Sequence, residues 1–173
     1  MNDITQDRSP LPADDPSRTM TLVHADGPDL RHVSVVGDTY TIRLDGTQTA
    51  NRYCLIDMFV PQGGGPPPHR HDFEETFIVL EGEIEATFRG EKTTVRAGET
   101  LHVPANAPHS FTNSAAAPAR LLCTCSPSGQ EEFFLLIGKL VPTRTSPPPP
   151  MSDEEKAATM KLASELAPKY WTE

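Results

Sequence analysis

Gly82, Gly90 and Gly98 recur at eight-residue intervals and divide the middle of this chain into segments too short for packed helices. The segments around them, Glu75 to Leu80, Glu83 to Phe88, Thr93 to Arg96 and Leu101 to Val103, tend to alternate apolar and polar residues. Period-two alternation punctuated by glycine is the pattern of antiparallel strands that bury one face. Thr39 to Leu44, Tyr53 to Val60, Ser110 to Thr112 and Arg120 to Thr124 read the same way, so the pattern predicts an all-β barrel or sandwich. A chain of 173 residues with 36% hydrophobic content can close one such core and leave peripheral segments over.

Proline marks those peripheral segments. There are 18 prolines in 173 residues, about twice the usual share of roughly 5%. Pro10, Pro12 and Pro16 lie in a stretch rich in Asp and Ser that cannot bury itself, so residues 1–30 are expected to be a mobile N-terminal tail and lead-in. Residues 31–130 are expected to form the barrel, and residues 131–173 peripheral C-terminal helices. Phe133, Leu136, Ile137 and Leu140 repeat at helical spacing and predict a helix packed on the barrel. Pro147 to Pro150 form a stiff extended spacer. Ser152 with Glu155 is a capping box for a last helix, whose stripe is Ala158, Leu162, Ala163 and Leu166 and which ends near Pro168.

Composition narrows the partners. Lys plus Arg is 15 and Asp plus Glu is 24, a formal charge of −9, which argues against nucleic acid or an anionic membrane. No apolar run approaches the roughly 18 residues of a membrane span, and Met1 to Met20 lacks the apolar stretch of a secretory signal. Three cysteines, Cys54, Cys123 and Cys125, are an odd and small number that fits a reducing compartment better than a disulfide framework. The expected location is the cytoplasm.

The chemistry is concentrated in two stretches. Gly63, His69, His71, Glu75 and Gly82 stand in the order G-x5-H-x-H-x3-E-x6-G within GGGPPPHRHDFEETFIVLEG. On extended backbone His69, His71 and Glu75 share one parity and leave the same face, while Arg70, Asp72 and Glu74 point away. Gly98, Pro104, His109 and Asn113 follow in GETLHVPANAPHSFTN. Three imidazoles and one carboxylate converging inside a barrel are a nitrogen-rich set suited to Fe, Mn, Ni, Co, Zn or Cu. Phe73, Phe77 and Val79 continue the parity of Glu75, and Phe111 that of His109. The surroundings of the site are therefore expected to be apolar, with Phe73, Phe77 and Phe111 as candidate substrate contacts. His102 is read as a surface residue rather than a fifth ligand. Cys123 and Cys125 are read as packing thiols rather than a metal pair.

These two stretches resemble the cupin family, whose motifs are the one above and G-x5-P-x-G-x2-H-x3-N. The second departs once, with Asn106 where the family has Gly; both residues tolerate positive φ. The resemblance covers about Arg31 to Leu140 with one motif pair, as in a monocupin. It implies a small β-barrel or jelly roll, often a homodimer, with one divalent transition metal held by His69, His71, Glu75 and His109. GGGPPPH, EETFIVLEGE and EEFFLLIG are most similar to small quercetin dioxygenase-like bacterial cupins.

Four ligands on a metal that accepts five or six leave room for dioxygen or a chelating substrate. Glu75 is the one anionic ligand and the candidate catalytic base. The resulting expectation is a dioxygenase of an aromatic or enol-bearing small molecule, with dioxygen as co-substrate. A metal-dependent isomerase of a keto acid or sugar, and a non-enzymatic cupin that binds a small molecule or metal, are the alternatives.

Overall fold

The computed structural model describes residues 11–173. The first ten residues of the expected tail lie outside the described residues; residues 11–20 are exposed and carry neither strand nor helix. The strands are β1 (Arg31–Val35), β2 (Asp38–Leu44), β3 (Cys54–Val60), β4 (Glu74–Glu81), β5 (Glu83–Phe88), β6 (Glu91–Arg96), β7 (Thr100–Val103), β8 (His109–Thr112), β9 (Ala119–Ser126) and β10 (Lys139–Val141). They pair antiparallel in two sheets, one ordered β10-β1-β2-β3-β9-β4-β7 and the other β6-β5-β8.

The alternation does what it predicts. In β4 Glu75, Phe77 and Val79 are buried while Glu74, Ile78 and Leu80 are exposed, and in β9 Leu121, Cys123 and Cys125 are buried. The two sheets share one core, in which Phe77 of β4 meets Phe111 of β8 edge-on, ring centroids 5.3 Å apart. The larger sheet also sets side chains in rows. Val103, Glu75, Cys125 and Cys54 stand opposite one another across β7, β4, β9 and β3, and Leu101, Phe77, Cys123 and Ile56 form the next row.

The C-terminal part departs from the sequence reading. Helix α1 (Gly46–Thr49) is a single capped turn, and α2 (Gln130–Ile137) is stopped by Gly138, whose N–H closes on the Phe134 carbonyl. The chain then turns into β10 and pairs with β1. The expected stripe Phe133, Leu136, Ile137 and Leu140 is therefore corrected: Leu140 lies on a strand, 71% exposed, and Leu136 is 51% exposed. The adjacent Phe133 and Phe134 are the buried pair instead, with Phe134 against Tyr40 of β2 at 4.8 Å. Helix α3 (Asp153–Leu166) has the capping box expected of Ser152 and Glu155. It continues into a 3₁₀ turn, Ala167–Tyr170, whose Tyr170 packs on Phe133.

Asp57 of β3 is 3% exposed and is held by a two-pronged bond from Arg120 of β9, Nε to Oδ1 at 2.9 Å and Nη2 to Oδ2 at 2.7 Å. Removing the guanidinium leaves a buried carboxylate without its counter-charge, a change that costs about 3–5 kcal/mol. Arg120→Met should lower stability on that scale in denaturant titration, whereas Arg96→Met on an exposed pair with Glu83 should change it by about 1 kcal/mol or less.

Candidate metal centre

The four candidate ligands arrive from different supports. Glu75 sits on β4 in the middle of the larger sheet, and His109 opens β8 in the smaller one. His69 and His71 lie on no strand: the loop from Gly63 shadows β8 instead. Gly63 N–H donates to the Asn113 carbonyl at 2.7 Å, and Asn113 N–H to the Gly64 carbonyl at 2.9 Å. His69 and His109 then exchange both backbone bonds, at 3.0 and 2.9 Å. A side chain on Gly65 would run into the backbone carbonyl of Phe111, and its φ of +123° is one that L-residues avoid. The loop is thus pressed against β8 only because glycine stands there.

Each histidine ring is oriented by its own local backbone. Nδ1 of His69 bonds the Pro67 carbonyl at 2.9 Å, Nδ1 of His71 the Phe73 carbonyl at 3.0 Å, and Nδ1 of His109 the Ala107 carbonyl at 2.9 Å. A carbonyl only accepts, so Nδ1 carries the proton in all three rings and Nε2 of the neutral ring is an unprotonated acceptor. Two of these nitrogens face Glu75 Oε2, at 3.0 Å for His71 and 3.2 Å for His109. Ligand atoms of His69, His71, Glu75 and His109 all lie within 4.8 Å of one another.

Acceptors facing acceptors in a buried space require a positive charge between them, either a proton on an imidazole or a metal ion. The electrostatics register that demand. Burial works to raise the Glu75 carboxyl, yet its bonds to His109 and His71 hold it well below the usual carboxylate range. Burial works to lower His109, and Glu75 outweighs it and raises the imidazole. His69, farther from the carboxylate, is pushed down to about 4 by burial and by His109. Three imidazole nitrogens and one carboxylate oxygen, each ring locked from behind by a hydrogen bond, are the donor set and support that a borderline divalent transition metal takes.

The other expected site residues are placed as follows. Phe73 precedes β4 and stacks on the His71 ring, 3.7 Å between centroids and 3° between planes. Phe77 and Phe111 form the pair one step deeper than Glu75 and His109, each 2% exposed. His102 faces outward, its Nε2 3.0 Å from Glu74 Oε2. Cys123 and Cys125 are fully buried beside Glu75, with Cys123 Sγ 3.2 Å from Oε1. Arg70 faces outward and pairs with Glu173, and Asp72 accepts from Asn106 Nδ2 at 2.6 Å. Asn106 has φ +66°, the conformation that its substitution for glycine requires, and its N–H donates to the His71 carbonyl at 2.7 Å.

One contributor has no signal in the sequence. Residues 171–173 pair with the histidine loop: Arg70 and Glu173 exchange backbone bonds at 2.9 and 2.8 Å, and Asp72 N–H donates to the Trp171 carbonyl at 2.8 Å. Arg70, His71, Asn106, Pro168 and Trp171 are among the residues that line a surface hollow of about 410 Å³ beside this segment. A pairing between residues a hundred positions apart leaves no local periodicity to read.

The cupin domain family matches residues 56–125. An uncharacterized protein of Methanocaldococcus jannaschii is 33% identical over 82 residues, which cover 47% of this chain and 66% of that protein. Quercetin 2,3-dioxygenase of Bacillus subtilis is 31% identical over 72 residues, 41% of this chain and 21% of that enzyme. The chain spans less than two thirds of the length of either relative. The polyketide cyclase RemF from Streptomyces resistomycificus superposes with a TM-score of 0.56 at 22% identity, covering 85% of this chain and 97% of RemF. At that identity the likeness speaks for the fold alone. No helix among the described residues is long and apolar enough to cross a membrane.

The glycine loop also lies over a second buried carboxyl. Asp38 is fully buried; the Tyr40 hydroxyl donates to Oδ2 at 3.1 Å, and Oδ1 has no partner. Burial pushes this carboxyl up to about 7, against the pull of the Tyr40 hydroxyl. The folded pKa is raised, so the contribution to stability is fully present below the ordinary 3.8 and is lost as pH rises towards 7. Between pH 5 and 8 the wild type should lose about 2–3 kcal/mol relative to Asp38→Asn, measured as the difference of two denaturant series. Parallel pH profiles for the two proteins would refute it.

Proposed function

Residues 56–125 form a cupin domain, and from that premise we propose that the chain is a metal-dependent dioxygenase of an aromatic or enol-bearing small molecule. One divalent transition metal would be held by Nε2 of His69, His71 and His109 and by Oε2 of Glu75. The observation that carries this reading is the convergence of four acceptor atoms, three of them locked in the metal-binding tautomer by Nδ1 bonds to backbone carbonyls. When bound, such a metal supplies Lewis acidity that lowers the pKa of a substrate hydroxyl, and redox chemistry if it is Fe, Mn, Co, Ni or Cu.

The protein's own groups do the rest. Glu75, ionised and buried, is the one carboxylate in the cluster and the group that would take the proton of a substrate hydroxyl. A carboxyl held below its usual range is a weak base, matched only to a hydroxyl that has itself been acidified. Phe73, Phe77 and Phe111 close the apolar side of the cluster and exclude water, which strengthens each charge interaction within it. That apolar lining favours an aromatic ring over a polyhydroxylated sugar, whose hydroxyls would need polar partners. The 31% identity to the Bacillus subtilis quercetin dioxygenase over 72 residues points in the same direction.

Elemental analysis of purified protein should find one transition metal per chain, with His71→Ala losing most of it. Full retention by a His69→Ala, His71→Ala double variant would refute the metal assignment. Oxygen uptake with a panel of flavonols and enols then tests the reaction. Uptake with none of them, by fully loaded protein, would leave isomerisation or simple binding as the better reading.

On any substrate that panel identifies, Glu75→Gln should cut oxygen uptake per bound metal by about 10²-fold to 10⁴-fold, the usual value of general-base assistance. Glu74→Gln is the control, because Glu74 faces outward onto His102. Near-normal turnover by Glu75→Gln would reduce Glu75 to a ligand alone.

A further inference from the structure

Behind Glu75 lies a group of buried polar side chains that the proposed reaction leaves unused. Cys123 and Cys125 are 0% exposed on the inner face of β9, and Cys54 is 0% exposed on β3, opposite Cys125. Cys123 Sγ donates to Glu75 Oε1 at 3.2 Å, Cys125 Sγ lies 3.7 Å from the same oxygen, and the two sulfurs are 3.6 Å apart. Glu75 Oε2 faces the other way, onto His71 and His109. The carboxylate is thus held from both ends, one oxygen by thiols and one by imidazoles.

A carboxylate oxygen accepts, so the 3.2 Å contact is a hydrogen bond that the Cys123 thiol donates to Oε1. Without that donor Oε1 would keep only the longer contact to Cys125, and rotation about the last bond of Glu75 would be freer to bring both oxygens towards the histidines. We propose that Cys123, supported by Cys125, is a positioning residue for Glu75: its thiol anchors Oε1, so that the carboxylate offers the single atom Oε2 to the metal centre.

This inference rests on the metal reading above and adds to it a reason for one-atom coordination. A carboxylate that used both oxygens would fill five positions together with three imidazoles. Anchored, it fills four, which leaves more of the coordination sphere to substrate and dioxygen. Hydrogen-bond partners of metal ligands commonly carry this orienting role, and losing one costs about 10-fold to 100-fold in metal affinity.

The test uses Co(II), whose visible absorption reports coordination number and donor geometry. Full-length wild type, Cys123→Ser, Cys123→Val and His71→Ala are each loaded with Co(II), and the spectrum and dissociation constant are measured, with thermal melting to establish that each is folded. Serine keeps a donor to Oε1 and should keep the wild-type spectrum and an affinity within about threefold. Valine fills the site with carbon and has no donor; it should shift the visible bands and weaken Co(II) by about tenfold or more. If the valine variant does not fold, Cys123→Ala, which only removes atoms, takes its place.

Unchanged spectrum and affinity in the valine or alanine variant would overturn the proposal and make the thiol a packing group. A second equivalent of Co(II) in the wild type, with an intense sulfur-to-cobalt charge-transfer band that Cys123→Ser abolishes, would also overturn it, since the thiols would then be ligands. Failure of the metal reading looks different: wild type takes up no Co(II), or His71→Ala leaves its spectrum unaltered, and then both readings fall together.

Discussion

Four acceptor atoms pointed at one another in a buried space form the constraint around which this end of the molecule is organised. His71 Nε2 and Glu75 Oε2 are 3.0 Å apart and both prefer to accept, so a proton or a cation has to lie among them. The demand is created locally. In His69, His71 and His109 Nδ1 is tied to a carbonyl two residues away, at Pro67, Phe73 and Ala107, a device used three times in the same site. The ring orientation is thereby set by short-range bonds.

The supports of these four side chains are unequal. Glu75 is embedded in the sheet, with β7 on one side, β9 on the other and thiols behind it. His69 and His71 ride on a loop held to β8 by backbone pairing, to the turn at Asn106 by one backbone bond, and to residues 171–173 by three backbone bonds. These attachments replace the sheet that the loop lacks. The apolar floor of Phe77 and Phe111 lies directly under the ligands because β4 and β8 carry their inward residues in alternation, so that ligand pair and ring pair are successive steps between the two sheets.

The same alternation explains how much was legible. The strands from β2 to β9 fall within a residue or two of their reading because glycine breaks and period-two burial are local properties of the chain. β1 and β10 carry no such pattern: Arg31 to Val35 is followed at once by a turn and is held by pairing with β2, and Lys139 to Val141 is three residues long and exists through pairing with β1. The helical stripe through Leu136 and Leu140 failed for a related reason, since Gly138 ends α2 and edge pairing takes over. His69 and His71 do share a face as parity requires, although the segment is an extended loop and not a strand.

What the sequence determined by itself was the chemistry and the local geometry: which four side chains can bind, their spacing on extended backbone, and the glycine, asparagine and proline positions that bend the chain into place. Only the tertiary structure decided that Cys123 donates to Glu75 Oε1, that Asp38 is buried beneath the glycine loop, and that Trp171 to Glu173 pair with the histidine segment. These contacts join residues 26 to 103 positions apart through sheet register and close packing. Registry between distant strands depends on the whole core closing at once, and no window of sequence carries it.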